Sequence, residues 1–412
     1  MMALLTCLFL RLATALAQDA QFLNTSRSAS IYAAARADGI DLGILPFATV
    51  ALESIENAYI PIVLPLFNNA SSIDVHGESG DNQPPASELI RSVIAHIVPT
   101  WYHALVPTTG QSPTPNWTLE AQFSMMQTVN IRKSVLSISS PGSTVYVDDE
   151  ARATALARLL NEYLAALSRT YPSHFSFFAV TPLPYVDAAI KEARYALDHL
   201  GAAGVGLLSN HEGYYLGNSY FQPFFSFLNS SMNNEVNEII FVHPNEPCMR
   251  IPNGNGSLII ANPTVYPDGL VELYFESART FMDLTLTSTL STFSKLNFII
   301  PHAGGSFPSI ISRMLSSLSP AAFAAQLEVF KQRLWWDTAG PTFPYQVKGL
   351  LAYGIGTDKL VLGTDYPYVP RAPVQVYKEF ADEVGEAEFL NVTEKDEVYH
   401  RNAEKLFGAR MR

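Results

Sequence analysis

Short apolar runs recur along most of this chain, separated by longer stretches with helical spacing. The runs are Ile73–His76, Ser134–Ser139, Phe175–Pro182, Gly204–Ser209, Glu238–His243, Leu296–His302, Leu334–Thr338 and Leu360–Asp365. Helical patterns occupy Ala151–Arg169, Val186–Leu200, Phe221–Asn229, Glu272–Thr289 and Pro308–Ser317. Short strands alternating with helices predict a parallel sheet joined by right-handed crossovers. Eight such runs predict an α/β fold of the (β/α)8, TIM-like barrel type. A doubly wound open sheet is the alternative, but no Gly-rich phosphate loop follows the first run. The C-terminal "EKDEVYHRNAEKLFGARMR" reads as an amphipathic closing helix. Before the barrel, residues 18–70 hold two helix-like pieces, Ser28–Arg36 and Phe47–Ala58, and form an N-terminal extension. The barrel is expected over residues 71–412.

Composition narrows the partners. With 48% hydrophobic and 16% charged residues, the chain looks like an ordinary soluble globular protein. Its formal charge of −12 argues against nucleic acid or an anionic membrane surface, both polyanions, as the main partner. Cys7 and Cys248 are the only cysteines, which excludes a disulfide framework and a cysteine zinc cluster. The first residues, "MMALLTCLFLRLATALAQDA", carry an apolar stretch too short to span a bilayer, followed by Ala15-Leu16-Ala17. That pattern predicts a signal peptide over residues 1–17 and entry into the secretory pathway, with the cytoplasm as the alternative. Arg11 interrupts the apolar run, and no basic residue precedes it. Glycosylation triplets at Asn24, Asn69, Asn116, Asn229, Asn255 and Asn391 agree with secretion, although such triplets also arise by chance.

The chemistry-bearing residues collect where strands end. "EIIFVHP" ends in His243, "LNFIIPHAGG" reaches His302, "KLVLGTDYP" reaches Asp365, and the first run closes on His76. Active sites of barrels of this kind lie at the C-terminal ends of the strands. Imidazole and carboxylate are the ligands that a catalytic zinc or manganese ion prefers. A lone histidine at a strand end is more often hydrogen-bonded packing, and a lone Asp365 would cap a turn. Four such residues at the same end of different strands point to a shared site. Trp101, Tyr102, Trp117, Tyr214 and Phe307 offer aromatic walls for a flat substrate, although core packing is the commoner role of each.

One segment breaks the pattern. "IDVHGESGDNQPPASELIRSVIAHIVP" has a histidine on either side of a polar stretch. Removing Gly77–Ile94 leaves "IDVHAHIVP", in which His76 and His96 are two residues apart on one strand and face the same way. The eighteen residues correspond to 54 nucleotides in frame. Gly-Glu-Ser is encodable with GTGAGT, a usual intron start, and the Ile-Ala junction with the AG of an intron end. The segment therefore reads as a translated retained intron, against the alternative of a genuine surface insertion. Closing such a loop costs only about 2–3 kcal/mol, so entropy does not forbid it. What it disturbs is the relative geometry of the two histidines.

With that repair, the chain resembles the amidohydrolase superfamily, and more closely its aminocarboxymuconate-semialdehyde decarboxylase-like branch. The resemblance rests on "DVH…AHIVP", "ISSPG", "NHEG", "FVHP", "PHAGGSFPSIISR", "WWDTAG", "VLGTDYP" and "RNAEKLFG", which span residues 73–408. Within the branch, "WYHALVP", "PNWTLEAQ" and "SVLSISSPG" are most similar to fungal 6-methylsalicylate decarboxylases. It implies one divalent ion, zinc with manganese as the alternative, held by His76, His96, His243 and Asp365. It implies His302 as the acid–base histidine. Arg313 matches an arginine that in some members reaches the neighbouring subunit's site and binds substrate carboxylate, which implies a homodimer. Trp117 is the aromatic candidate for contact with the ring. The implied reaction is non-oxidative decarboxylation of a hydroxylated aromatic acid, 6-methylsalicylate to 3-methylphenol in polyketide metabolism, with Asp365 as proton donor and His302 orienting. Hydrolysis of a lactone or amide is the competing activity, and an inactive barrel the outcome if the insertion is genuine. The region "GVGLLSNHEG" offers no lysine for a bridged two-metal site.

Overall fold

Eight parallel strands follow one another in chain order in the computed structural model, which describes residues 26–62, 93–230, 237–250, 257–260, 265–369 and 374–411. They are β1 (Val93–Ile97), β2 (Ser134–Ile138), β3 (Phe175–Val180), β4 (Gly204–Leu208), β5 (Glu238–His243), β6 (Leu296–Ile300), β7 (Leu334–Asp337) and β8 (Leu360–Val361). The last strand returns to the first. Ile94 N–H donates to Leu362 O (3.4 Å), Thr364 N–H to Ile94 O (3.2 Å) and His96 N–H to Tyr366 O (2.7 Å). These bonds close the sheet into a barrel, so the strands have no open edge.

The first strand is where expectation and structure part. Ile73–His76 lies outside the described residues, and β1 begins at Val93. Val93 and Ile94, assigned from sequence to the insertion, pair with Ser134 and Val135 of β2. Both are β-branched and apolar, so they fit a strand buried between its neighbours.

The outer layer comprises α1 (Ser26–Ala37), α2 (Ala48–Ala58), α3 (Leu119–Val129), α4 (Glu150–Thr170), α5 (Val186–Tyr195), α6 (Gln222–Ser230), α7 (Glu272–Leu286), α8 (Phe307–Met314), α9 (Pro320–Arg333), α10 (Val374–Glu386) and α11 (Asn402–Phe407). Local chemistry starts several of them. Thr118 Oγ1 accepts from Ala121 N–H (3.1 Å), Asp149 Oδ1 from Arg152 N–H (3.0 Å), and Ser319 Oγ from Ala322 N–H (3.3 Å), each satisfying an otherwise orphaned donor. Helices α3, α9 and α10 carry no expectation from the sequence reading.

Inside the barrel, Ile94, Val135, Phe178, Ile239, Phe241, Ile299, Trp335 and Val361 form one apolar layer with Ala403, Leu406 and Phe407 of α11. The closing helix therefore plugs the end at which the strands begin. Two residues further along the same face come His96 on β1 and His243 on β5.

Helices α1 and α2 give the extension a structural role. Ile31, Ala35, Ala51, Leu52 and Ile55 join the main core, and α4 is buried along most of its length. At the centre of this packing Arg158 is fully buried. It pairs with Glu192 Oε2 (2.9 Å) and Asp38 Oδ2 (2.6 Å), and its guanidinium lies 3.7 Å from the centroid of the Tyr195 ring. Asn161 Nδ2 donates to Glu192 Oε1 (2.8 Å), so that carboxylate is held on both oxygens. Removing one partner of a buried ion pair strands the other charge, typically at about 3–5 kcal/mol. Glu192→Ala is expected to lower urea-unfolding stability by about that amount. Asp38→Ala should cost less, because Asp38 is 37% exposed. Equal losses from the two variants would contradict this ranking.

Candidate active site

The site grows from the ends of the strands. His96 lies near the end of β1, His243 is the last residue of β5 and Asp337 the last of β7, while His302 and Asp365 follow β6 and β8. One donor atom from each of His96, His243 and Asp365 lies within 4.8 Å of the others. The two imidazoles meet edge to face, with centroids 4.7 Å apart. His96 Nε2 is 3.3 Å from Asp365 Oδ1, and His302 Nε2 is 3.9 Å from Asp365 Oδ2. Asp365 thus stands between His96 and His302.

Two imidazoles and a carboxylate converging at this spacing fit one small divalent ion. The buried Nδ1 atoms of His96 and His243 have no hydrogen-bond partner among the described residues, which leaves capacity that a metal site would use. Ser139 Oγ lies 3.3 Å from His243 Nε2 and Tyr368 packs edge-on to His96, with centroids 5.6 Å apart.

The charges pull in different directions. Burial keeps His243 neutral, well below the usual imidazole range, and the neighbouring His96 adds to the effect. Burial alone would raise Asp365, but the His302 and His96 imidazoles beside it outweigh burial and hold the carboxyl below its ordinary range. At His302 burial would lower the pKa, yet the neighbouring carboxylates of Asp365 and Asp337 raise it. The two opposite shifts favour a charged His302 beside an ionised Asp365. Burial pushes Asp337 up to about 7.

The backbone is strained where the chemistry sits. His302 (φ 53°), Ala303 (φ 49°) and Asp365 (φ 58°) all occupy the left-handed region that non-glycine residues rarely adopt. Gly363 is required for space, since a Cβ there would overlap the Asp337 carboxylate. Asp337 Oδ1 in turn accepts from Ala339 N–H (2.5 Å).

Of the residues expected from sequence, the structure brings His96, His243, His302 and Asp365 together. His76 lies outside the described residues. Trp117 is enclosed in the apolar core and its indole N–H donates to Gln122 Oε1 (3.0 Å). Arg313 is exposed on α8. Asp337 and Tyr274 were given no role. "WWDTAG" ends a strand as His243 does, so the strand-end rule reaches Asp337; no local signal marks Tyr274, whose ring stacks 5.2 Å from His302.

His211, in the segment that follows β4, is buried. Its Nε2 accepts from Leu208 N–H (3.1 Å), and desolvation pushes its pKa down to about 3. The unfolded chain takes up a proton near pH 6.5 that the folded chain refuses until about pH 3. His211 therefore contributes stability above pH 6.5 that is lost as pH falls, at about 1.4 kcal/mol per pH unit. His211→Asn should flatten the acid limb of a stability–pH curve by roughly one proton; an unchanged slope would contradict the assignment.

The model of the Amidohydrolase family matches residues 93–409. Decarboxylase yanB of Aspergillus niger is 31% identical over 301 residues, covering 68% of this chain and 78% of that one. The 6-methylsalicylic acid decarboxylase acuB of Aspergillus aculeatus is 28% identical over 327 residues, covering 76% and 94%. A dihydroxybenzoic acid decarboxylase from Polaromonas sp. JS666, solved with bound manganese and an inhibitor, superposes with a TM-score of 0.59 at 18% identity, over 78% of this chain and 97% of that one. With its barrel matched from β1 to α11 and decarboxylases as its curated relatives, the chain belongs to the Amidohydrolase family, among its carboxy-lyases.

Proposed function

We propose that this protein is a metal-dependent, non-oxidative decarboxylase of a hydroxylated aromatic acid, with 6-methylsalicylate, giving 3-methylphenol and carbon dioxide, as its substrate. The observation that carries the reading is the convergence of His96, His243 and Asp365 at one end of a barrel whose relatives are decarboxylases. When bound there, a divalent ion supplies Lewis acidity and a template for the acid's carboxylate and ortho-hydroxyl oxygens. Two imidazoles and a carboxylate suit zinc or manganese, and the Polaromonas relative holds manganese.

The chain's own residues handle the proton. Loss of carbon dioxide from an aromatic ring needs a proton on the carbon that bears the carboxylate. Asp365 delivers it, and His302, 3.9 Å from Asp365 Oδ2, holds it in the resting site and resupplies the carboxylate. The charges that raise His302 and lower Asp365 support this division of labour over a purely orienting histidine. Strain at His302 and Asp365 fixes the two side chains toward each other.

Ile94 bears on the insertion. It occupies the position two residues before His96, on the same face of β1. In a chain lacking Gly77–Ile94, His76 takes that position and becomes a fourth ligand, which is how the retained-intron reading would complete the site. A homodimer, with exposed Arg313 reaching a neighbouring subunit, and secretion after cleavage of residues 1–17 belong to the same proposal. Residues 1–17 lie outside the described residues, and no helix among those described is long and apolar enough to cross a membrane.

The test is carbon dioxide release from 6-methylsalicylate with zinc or manganese by three proteins: the full chain, the chain lacking Gly77–Ile94, and the Ile94→His variant of the full chain. Release is expected from the shortened chain, and in part from Ile94→His. Equal release by the full chain would make the segment a tolerated loop. Metal binding without carbon dioxide release in all three would reject the decarboxylase in favour of a hydrolase of lactones or amides.

A further inference from the structure

Tyr274 is remote in sequence from every strand end, yet it is built into the site. It is the third residue of α7, in the connection between β5 and β6. Its ring lies against the imidazole of His302, with centroids 5.2 Å apart and planes at 27°, an offset-stacked pair. The backbone beneath it is clamped to the loop that carries His302. Tyr274 O accepts from Ser306 N–H (3.2 Å) and from Ser306 Oγ (3.3 Å). Gly305 approaches so closely that a Cβ there would lie 2.5 Å from Tyr274 O and 2.9 Å from its Cα. A third contact reaches the loop after β7, where a Cβ on Gly340 would lie 3.4 Å from the Tyr274 hydroxyl. Tyr274 therefore spans the ends of β6 and β7.

Several tyrosine hydroxyls are tied to the protein. Tyr102 donates to Gly142 O (2.9 Å), Tyr185 to Glu212 (3.0 Å), Tyr195 to Glu162 (2.6 Å), Tyr215 to Glu276 (2.9 Å) and Tyr399 to Ala381 O (2.8 Å). A largely buried tyrosine hydroxyl normally finds such a partner. Tyr274 is part-buried, and its hydroxyl has no hydrogen-bond partner among the described residues. Burial, with the Asp365 charge adding to it, pushes the phenol up to about 12, so the group stays an O–H donor at neutral pH. A donor without an acceptor, fixed next to the acid–base histidine, suits a ligand that brings its own oxygen.

We propose that Tyr274 reads the substrate: its ring sets the plane of His302, and its hydroxyl donates a hydrogen bond to an oxygen of the bound aromatic acid. The inference rests on the aromatic-acid reading above and names a specificity contact within it. Tyr274 acts on His302 as a positioning residue and on the acid directly.

The experiment is a calorimetric titration of the manganese-loaded full chain with 2-hydroxybenzoate, alongside Tyr274→Phe and Tyr274→Leu, with thermal midpoints measured for all three. A hydrogen bond to a charged partner is worth about tenfold or more in affinity. Tyr274→Phe, which keeps the ring, should weaken binding about tenfold with its thermal midpoint unchanged. Tyr274→Leu should bind more weakly still. Parent-like affinity in Tyr274→Phe would overturn the inference while leaving the aromatic-acid reading intact, as would a lowered midpoint with unchanged affinity, the mark of a purely structural residue. If the full chain does not bind the acid, the same titration is made in the chain lacking Gly77–Ile94; failure of both to bind would overturn the aromatic-acid reading, and this inference with it.

Discussion

The seam between the first and last strands governs this site. His96 and Asp365 are 269 positions apart in the chain, and they meet because β1 hydrogen-bonds to the segment running out of β8. His96 N–H donates to Tyr366 O, and Thr364 N–H to Ile94 O, so the backbone that carries one donor is bonded to the backbone that carries the other. His243 arrives from across the barrel at the same height because every strand runs the same way and the interior layer below is filled. A register slip of one residue in β1 would turn His96 out of the barrel. The ligand set is thus a property of barrel closure rather than of any one loop.

Holding that arrangement carries a cost that neighbouring elements absorb. A part-buried carboxylate between two imidazoles is unfavourable unless its polar atoms find partners. Left-handed backbone at His302, Ala303 and Asp365 adds about 1–3 kcal/mol at each position. The loops after β2, β4 and β5 brace one another, with Ser140 Oγ donating to Asn245 Oδ1 and Asn245 N–H to Ser209 Oγ (2.9 Å). Far from the site, the Arg158–Glu192–Asp38 cluster fastens the N-terminal helices over α4. Those helices precede the matched family region, so the extension adds packing to a barrel defined without it.

What could be read from the sequence follows from where the constraint is local. Strand ends are local: an apolar run stops at a histidine or aspartate, and that was enough for His243, His302, Asp365 and the parallel barrel. The start of β1 was not legible. Val93 and Ile94 are apolar and β-branched whether a strand begins there or an insertion ends there, and only pairing with Ser134 and Val135 decides which. Trp117 illustrates the limit for aromatics, since an indole with an internal partner in Gln122 looks the same in sequence as one facing a ligand. Tyr274 was invisible for the opposite reason. Its role depends on stacking across helix α7 and the loop after β6, a contact between elements that no spacing rule connects.

His96, His243 and Asp365 converge from opposite sides of the barrel on the place proposed for one ion. Anomalous diffraction at the zinc edge, from crystals of the full chain grown with zinc, locates that ion directly. A single peak is expected about 2.0–2.2 Å from donor atoms of His96, His243 and Asp365. A peak elsewhere, or none within bonding distance of these three residues, would contradict it.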